Sequence, residues 1–262
     1  MRNDGTTING SDGNINNVTN LFTSLKRLSF TPQKAFTLAE VLVTLGIIGI
    51  VAAMTLPTLI NNSRNKQLEA ALHKNYSIIQ QALEMYQAEH GVPLTPDITG
   101  TQTAANSLTA LIKPYFAVLY DCGLSRVTKC MPLPAGEENN GISRIYKTYN
   151  NKTLNLNLLD DGQFVLKDGS LILIENPGSS QDRLRLITVD VNGINKKPNK
   201  WGHDLFTFQL MDDGRLLPSG AEGTKYKEEN TYCSINATNH INGVGCTYKA
   251  LTEKDYFKNL PK

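Results

Sequence analysis

Twenty consecutive uncharged residues, Val41 to Ile60, constrain this chain more than any other stretch of it. As a helix they span about 30 Å, the thickness of a bilayer's hydrocarbon core. One carboxylate, Glu40, stands immediately before them. An acid at membrane depth is costly and needs either a partner or a route to water. Lys26, Arg27 and Lys34 precede the run, and the net charge of +2 resides in the first 35 residues. Basic residues ahead of an apolar segment hold that end in the cytoplasm, so the chain beyond the segment is expected outside. The run is longer than the apolar part of a secretory signal and no small-residue cleavage site comes after it. A retained anchor is therefore expected. Residues 1–25 are rich in Asn, Thr, Ser and Gly without periodicity, the composition of disordered chain.

Gly46, Gly49 and Pro57 lie inside the apolar run. In water each glycine costs a helix about 1 kcal/mol relative to alanine. Among packed apolar helices they are tolerated and allow close approach. Pro57 lacks an N–H, so a kink is expected there. The helical pattern continues past the run, with neither Pro nor Gly from Asn61 to His90. Leu68, Leu72, Tyr76, Ile79, Leu83 and Tyr86 recur every three to four residues on an otherwise polar helix. Such a stripe packs on something. Gly91 and Pro93 end it. A helix over 36–90 would be about 80 Å long, too long to fit within a compact domain of this chain's size.

The remainder, 91–262, reads as a separate head. Leu108 to Tyr120 suggests a short helix interrupted by Pro114. Leu154 to Leu158 alternates like a strand. Further strands are expected at 162–166 and 170–174 around the turn Lys167-Asp168-Gly169, at 184–190, at 205–210, and from Arg215 after the turn Asp213-Gly214. Meander spacing of this kind builds an antiparallel sheet. The expected fold is thus α+β: a long N-terminal helix, about 36–90, whose C-terminal half packs against an antiparallel β-sheet head.

The chain has four cysteines in two close pairs, eight and thirteen residues apart. Zinc sites favour pairs two to four apart. In an exported head these pairs fit local disulfides, Cys122–Cys130 and Cys233–Cys246, with free thiols as the alternative.

Enzyme signatures are absent: there is no G-x-S-x-G, no H-E-x-x-H and no phosphate-binding glycine loop. The four histidines are dispersed, and His203 beside Asp204 reads as a surface turn rather than a base–acid pair. Trp201 reads as a packing residue. The charge excludes a strongly basic nucleic-acid surface, and no specific nucleic acid is predicted. Asp190, Asn192 and Asn195 alternate around Gly193, with Asp204 in the next segment. This is the style of a calcium loop without the closing glutamate of an EF-hand. The competing reading is an Asp/Asn-Gly turn. Calcium is the one candidate cofactor.

Ala35-Phe36-Thr37-Leu38-Ala39-Glu40, continued by the apolar run, closely resembles the N-terminal signal of type IV pilins and type II secretion pseudopilins. The resemblance implies a leader, 1–35, removed by a prepilin peptidase between Ala35 and Phe36. It also implies N-methylation of Phe36, with Glu40 as the fifth mature residue. The family usually carries Gly before the cut, where this chain has Ala35, and the leader is longer than most. Pro57 falls where family helices often kink. The segment from Val189 to Gly193, with Pro198-Asn199 and Gly202 to Phe208, is similar to heads found behind this signal in many bacterial proteins.

The implied organisation is a leader (1–35), a transmembrane and filament-core half-helix (36–60), an amphipathic half-helix (61–90) and an extracytoplasmic head (91–262). The implied function is that of a structural subunit of a pilus-like or pseudopilus filament, not an enzyme. Its implied location is the bacterial inner membrane and then an extracytoplasmic filament. Partners would be other copies and pilin-like subunits, the peptidase, membrane lipid, and an assembly platform with its ATPase. Glu40 would compensate the Phe36 amine of a neighbour and so set the register between helices; the bland alternative is an acid snorkelling to the headgroups. A membrane-anchored binding or adhesion module, stabilised by calcium, is the competing function.

Overall fold

The computed structural model describes residues 36–124, 130, 142–177 and 183–261. The leader and Ala35 lie outside these. The chain divides into two compact units, 1–54 and 55–262. Helix α1, Leu38–His90, begins in the first unit and continues into the second. Within the first unit the helical residues present their large apolar side chains outward, among them Leu42, Val43, Ile47 and Ile48.

In the second unit α1 carries the stripe read from the sequence. Leu68, Leu72, Ile79, Leu83 and Tyr86 are buried, together with Asn75 and Ala82. Tyr76 is half-buried and stacks on Phe208, with ring centroids 4.9 Å apart. The helix stops at Gly91, whose φ of 75° suits the left-handed position after a helix. Its N–H donates to the Gln87 carbonyl at 2.8 Å.

The head is built on a six-stranded antiparallel sheet: β1 (Val118–Gly123), β4 (Gln163–Leu166), β5 (Leu171–Glu175), β6 (Leu186–Asp190), β7 (Leu205–Leu210) and β8 (Leu216–Pro218), in that spatial order. A separate hairpin joins β2 (Ile142–Lys147) and β3 (Thr153–Asn155). Strand alternation sends side chains to two different cores. Ile172, Ile174, Ile187, Val189, Phe206 and Phe208 join the α1 stripe. Leu171, Leu173, Leu186 and Leu205 join Tyr146, Leu154, Leu156 and Trp201. Both faces are thus covered, which is why β5 and β6 are buried at every position. Three short helices complete the head: α2 (Leu108–Ile112), α3 (Glu229–Tyr232) and α4 (Thr247–Thr252).

The fold departs from the elements expected of the sequence in three places. The helix expected over 108–120 ends at Ile112, and Lys113–Tyr115 form a 3-10 turn with Pro114 near its start. Val118 onward pairs with β4 as an edge strand. The strand expected at 154–158 ends at Asn155, whose side chain accepts from the Asn157 N–H at 2.9 Å and opens a 3-10 turn over Leu156–Leu158. Asparagine offers the backbone this local alternative to the ladder. Strand β2 is missing from the sequence reading. Its residues, Ile-Ser-Arg-Ile-Tyr-Lys, lack a clean alternation, and its register with β3 shifts between Ser143 and Lys147.

Candidate assembly site and the head's acidic pair

Phe36, the first described residue, is 85% exposed. Thr37 precedes the first helical residue and acts as its N-cap. Its hydroxyl oxygen accepts from the Glu40 N–H at 3.2 Å. Glu40 reaches back in return: its Oε2 accepts from the Thr37 N–H at 2.8 Å and from the Thr37 hydroxyl at 2.9 Å. This is a capping box, which satisfies two of the orphan N–H groups at the helix start. Thr37-x-x-Glu40 is its sequence signature, which a reading of Glu40 as an intramembrane acid alone passes over. The box holds the carboxylate at the N-terminal end of the helix, where the helix dipole favours negative charge. Pro57 lies within α1.

The structure pairs Cys122 with Cys130 and Cys233 with Cys246, at Cα–Cα separations of 5.8 and 4.9 Å. Cys246 is fully buried at the start of α4, in the core that also holds the α1 stripe. This bridge therefore ties the C-terminal loop to the packing between helix and sheet.

Of the candidate calcium set, the fold brings Asp190, Asn192 and Asp204 together, while Asn195 is exposed and makes none of their contacts. Asp190 ends β6 and is fully buried. Its Oδ1 accepts from the Gly193 N–H at 2.8 Å and the Asn192 N–H at 3.3 Å, and its Oδ2 from the Tyr146 hydroxyl at 2.7 Å. Asp204, also fully buried, accepts from the Lys200 N–H at 2.7 Å and the Asn199 N–H at 2.8 Å. Asp190 thus closes an Asx turn onto the residues that follow it, while Asp204 reaches back to the backbone four and five positions before it. The amide oxygens of Asn192 and Asn199 are buried without a hydrogen-bond partner, so two further oxygen donors for a hard cation lie in the same pair of loops.

Burial, then the charge of Asp204, pushes the Asp190 carboxyl far above the ordinary carboxylate range. Burial also raises Asp204, against the backbone N–H groups of Lys200 and Asn199. Two adjacent buried acids cannot both ionise cheaply, so the pair retains a proton. His203 is pushed the other way, to about 4, by burial and by the nearby Lys200 charge. Its Nε2 lies 3.3 Å from the Tyr149 carbonyl. It is a buried neutral imidazole rather than the surface turn expected from the sequence. Trp201 is fully buried, and its indole N–H donates to the Thr207 hydroxyl at 3.0 Å.

A second acidic group escapes the sequence reading: carboxylate oxygens of Asp160, Asp161 and Glu175 lie within 4.8 Å of one another. Asp161 accepts from the Asn176 N–H at 2.9 Å, and Asn176 in turn accepts from the Leu108 N–H at 2.7 Å. These contacts brace the start of α2 against the end of β5.

The capping box, the single acid and the apolar helix behind it define a prepilin-type N-terminus. Residues 31–56 match the prokaryotic N-terminal methylation motif, the cleavage and methylation signal of type IV pilins and pseudopilins. That signal belongs to a class of structural subunits rather than enzymes. No curated protein and no solved structure matches this chain. The motif, the long N-terminal helix and the antiparallel sheet beyond it together give the chain a pilin-like α+β layout. By length and composition α1 is capable of crossing a membrane.

Proposed function

We propose that this chain is a structural subunit of a type IV pilus-like or type II secretion pseudopilus filament. The observation that carries the reading is the methylation motif over 31–56, set at the head of an apolar helical segment whose large side chains from Phe36 to Ile60 are all exposed. An exposed apolar surface of that extent needs lipid or protein around it. In the membrane it is solvated by acyl chains, and in a filament by the helices of other subunits.

Prepilin peptidase cuts before Phe36, which leaves a new amine next to the capped helix start. Glu40, already drawn to that end by Thr37, compensates the amine of a neighbouring subunit and fixes the axial offset between helices. An ion pair in so dry a setting persists only if its hydrogen bonds are made, and the Thr37 contacts supply part of that requirement. The work of extraction comes from the platform ATPase. The head stands outside the inner membrane, where its two disulfides are stable.

Mass spectrometry of the mature protein tests this. A chain that starts at Phe36 with a methylated amine is expected; an intact leader or a start at any other residue would refute it.

A further inference from the structure

Beyond the turn of α1 that ends the apolar run, the head presents a cleft lined by Arg64, Gln67 and Leu68 of the helix and by Asn192, Lys196 and Lys197 of the loop after β6. Leu68 gives it an apolar floor, while Arg64, Lys196 and Lys197 are exposed. Among the described residues none of these three cations is in an ion pair. The one carboxylate lining the cleft, Asp168, is held by Lys74 at 2.8 Å and by Ser170. Arg64 also acts on the buried Asp204 behind the cleft, where its charge works against the rise that burial causes, but three cations against these two acids, one of them already paired with Lys74, leave the cleft net positive.

Its height along the helix is informative. Arg64 lies four residues past Ile60, about 6 Å along the axis. The headgroup layer of one leaflet is about 5–8 Å deep. Helical side chains lean toward the N-terminus of their helix, here toward the bilayer, and a long cationic one snorkels to the interface. With Ile60 at the edge of the hydrocarbon, the guanidinium is level with lipid phosphates. The head packs against this turn, where the Asn65 side-chain amide donates to the Phe257 carbonyl at 2.6 Å, and the shared cleft sets Lys196 and Lys197 beside Arg64.

The geometry points to a site for the phosphate of an anionic phospholipid, occupied while the subunit is stored in the membrane. This rests on the membrane stage of the proposed function. The three cations and the apolar floor match a headgroup phosphate joined to its glycerol. A free phosphate shares the charge but not the apolar part.

Full-length protein in nanodiscs of phosphatidylcholine, with and without phosphatidylglycerol, tests the site through lipids retained in native mass spectrometry. Phosphatidylglycerol is expected to be retained over phosphatidylcholine. Each basic residue near an anionic surface is worth roughly fivefold in affinity, so the triple variant R64Q/K196Q/K197Q should weaken retention about a hundredfold. Unchanged Trp201 emission verifies that the variant head is folded. Equal retention of both lipids, or a triple variant that binds like the parent, overturns the site. Displacement of the lipid by millimolar inorganic phosphate would make free phosphate the ligand and overturn the lipid assignment. Lipid-independent self-association lost in the triple variant would do the same in favour of carboxylates on a second copy. A chain that alkaline carbonate washes off the membrane overturns both this inference and the proposed function; a chain that stays but shows no preference overturns this inference alone.

Discussion

Replacing Asp190 with Asn should change how the head's stability depends on pH. In the native head the Asp190 carboxyl is fully buried, faces Asp204 and is pushed up to about 8. In the unfolded chain an aspartate titrates near 3.9. A raised pKa means that the folded form keeps a proton which the unfolded form has lost. The associated stability is fully present below about pH 3.9 and is lost as pH rises through the folded value. His203 opposes this at lower pH. Its lowered pKa makes the unfolded chain the better proton binder below roughly pH 6.5, so its contribution falls as pH falls. The two slopes partly cancel in acid, and above roughly pH 6.5 the acid pair dominates as the histidine contribution fades. One retained proton corresponds to about 1.4 kcal/mol per pH unit. The head should therefore lose on the order of 1 kcal/mol between roughly pH 6.5 and 7.5, the fading histidine slope offsetting part of the full value.

Trp201 is the only tryptophan and is fully buried in the same loop, so its emission reports unfolding there. With a urea m-value of about 2 kcal/mol/M, the midpoint should drop by roughly 0.5 M across that pH unit. The assay is run on the full chain in non-ionic detergent. An asparagine at this position mimics the neutral acid: its amide oxygen can accept from Gly193, and its NH2 can face the Tyr146 oxygen. The D190N variant should show a flat midpoint over the same interval. A wild-type midpoint that stays level or rises, or a variant with the same slope as wild type, would refute the reasoning.

Replacement of Glu40 with Ala should leave cleavage at Phe36 intact on an immunoblot while sheared filaments disappear; normal filaments would remove the registry role. Opening the Cys233–Cys246 bridge by the double alanine variant should destabilise the head by about 3 kcal/mol on loop-closure grounds, for a separation of thirteen residues; an unchanged urea midpoint for Trp201 emission would contradict this. Leu72, fully buried in the α1 stripe, should cost about 3–5 kcal/mol as Leu72→Ala, read in the same assay. A loss below about 1 kcal/mol would mean that α1 and the sheet are less tightly joined than their shared core implies.

Much of the fold is legible because it rests on local signals. The apolar run, the stripe from Leu68 to Tyr86 and the stop at Gly91 are readable from periodicity and turn chemistry, and α1 obeys them. Strands β4 to β8 are readable for the same reason, with Asp-Gly turns inside two of the pairs. Strands β1 and β2 are not. The partner of β1 is distant in sequence, and Val118 reads as helix until β4 lies beside it. The partner of β2 is near, but its own residues carry no clear period of two. The capping box is written in Thr37 and Glu40 and needs only the right template.

The kind of N-terminus this protein has is fixed by adjacent residues, because that signal acts through a single helix. The state of the head's polar groups is fixed by the packed fold instead. Asp190 and Asp204 are fourteen positions apart, and nothing local says that a loop returns to set one acid against the other and remove both from water. His203 is likewise neutralised chiefly by burial, which no neighbouring residue in the chain announces. The same holds for Arg64, Lys196 and Lys197, which share one cleft because α1 and the loop after β6 pack in the same head. Periodicity and caps depend on residues within a turn or two, whereas charge and solvation depend on which distant segments enclose a group.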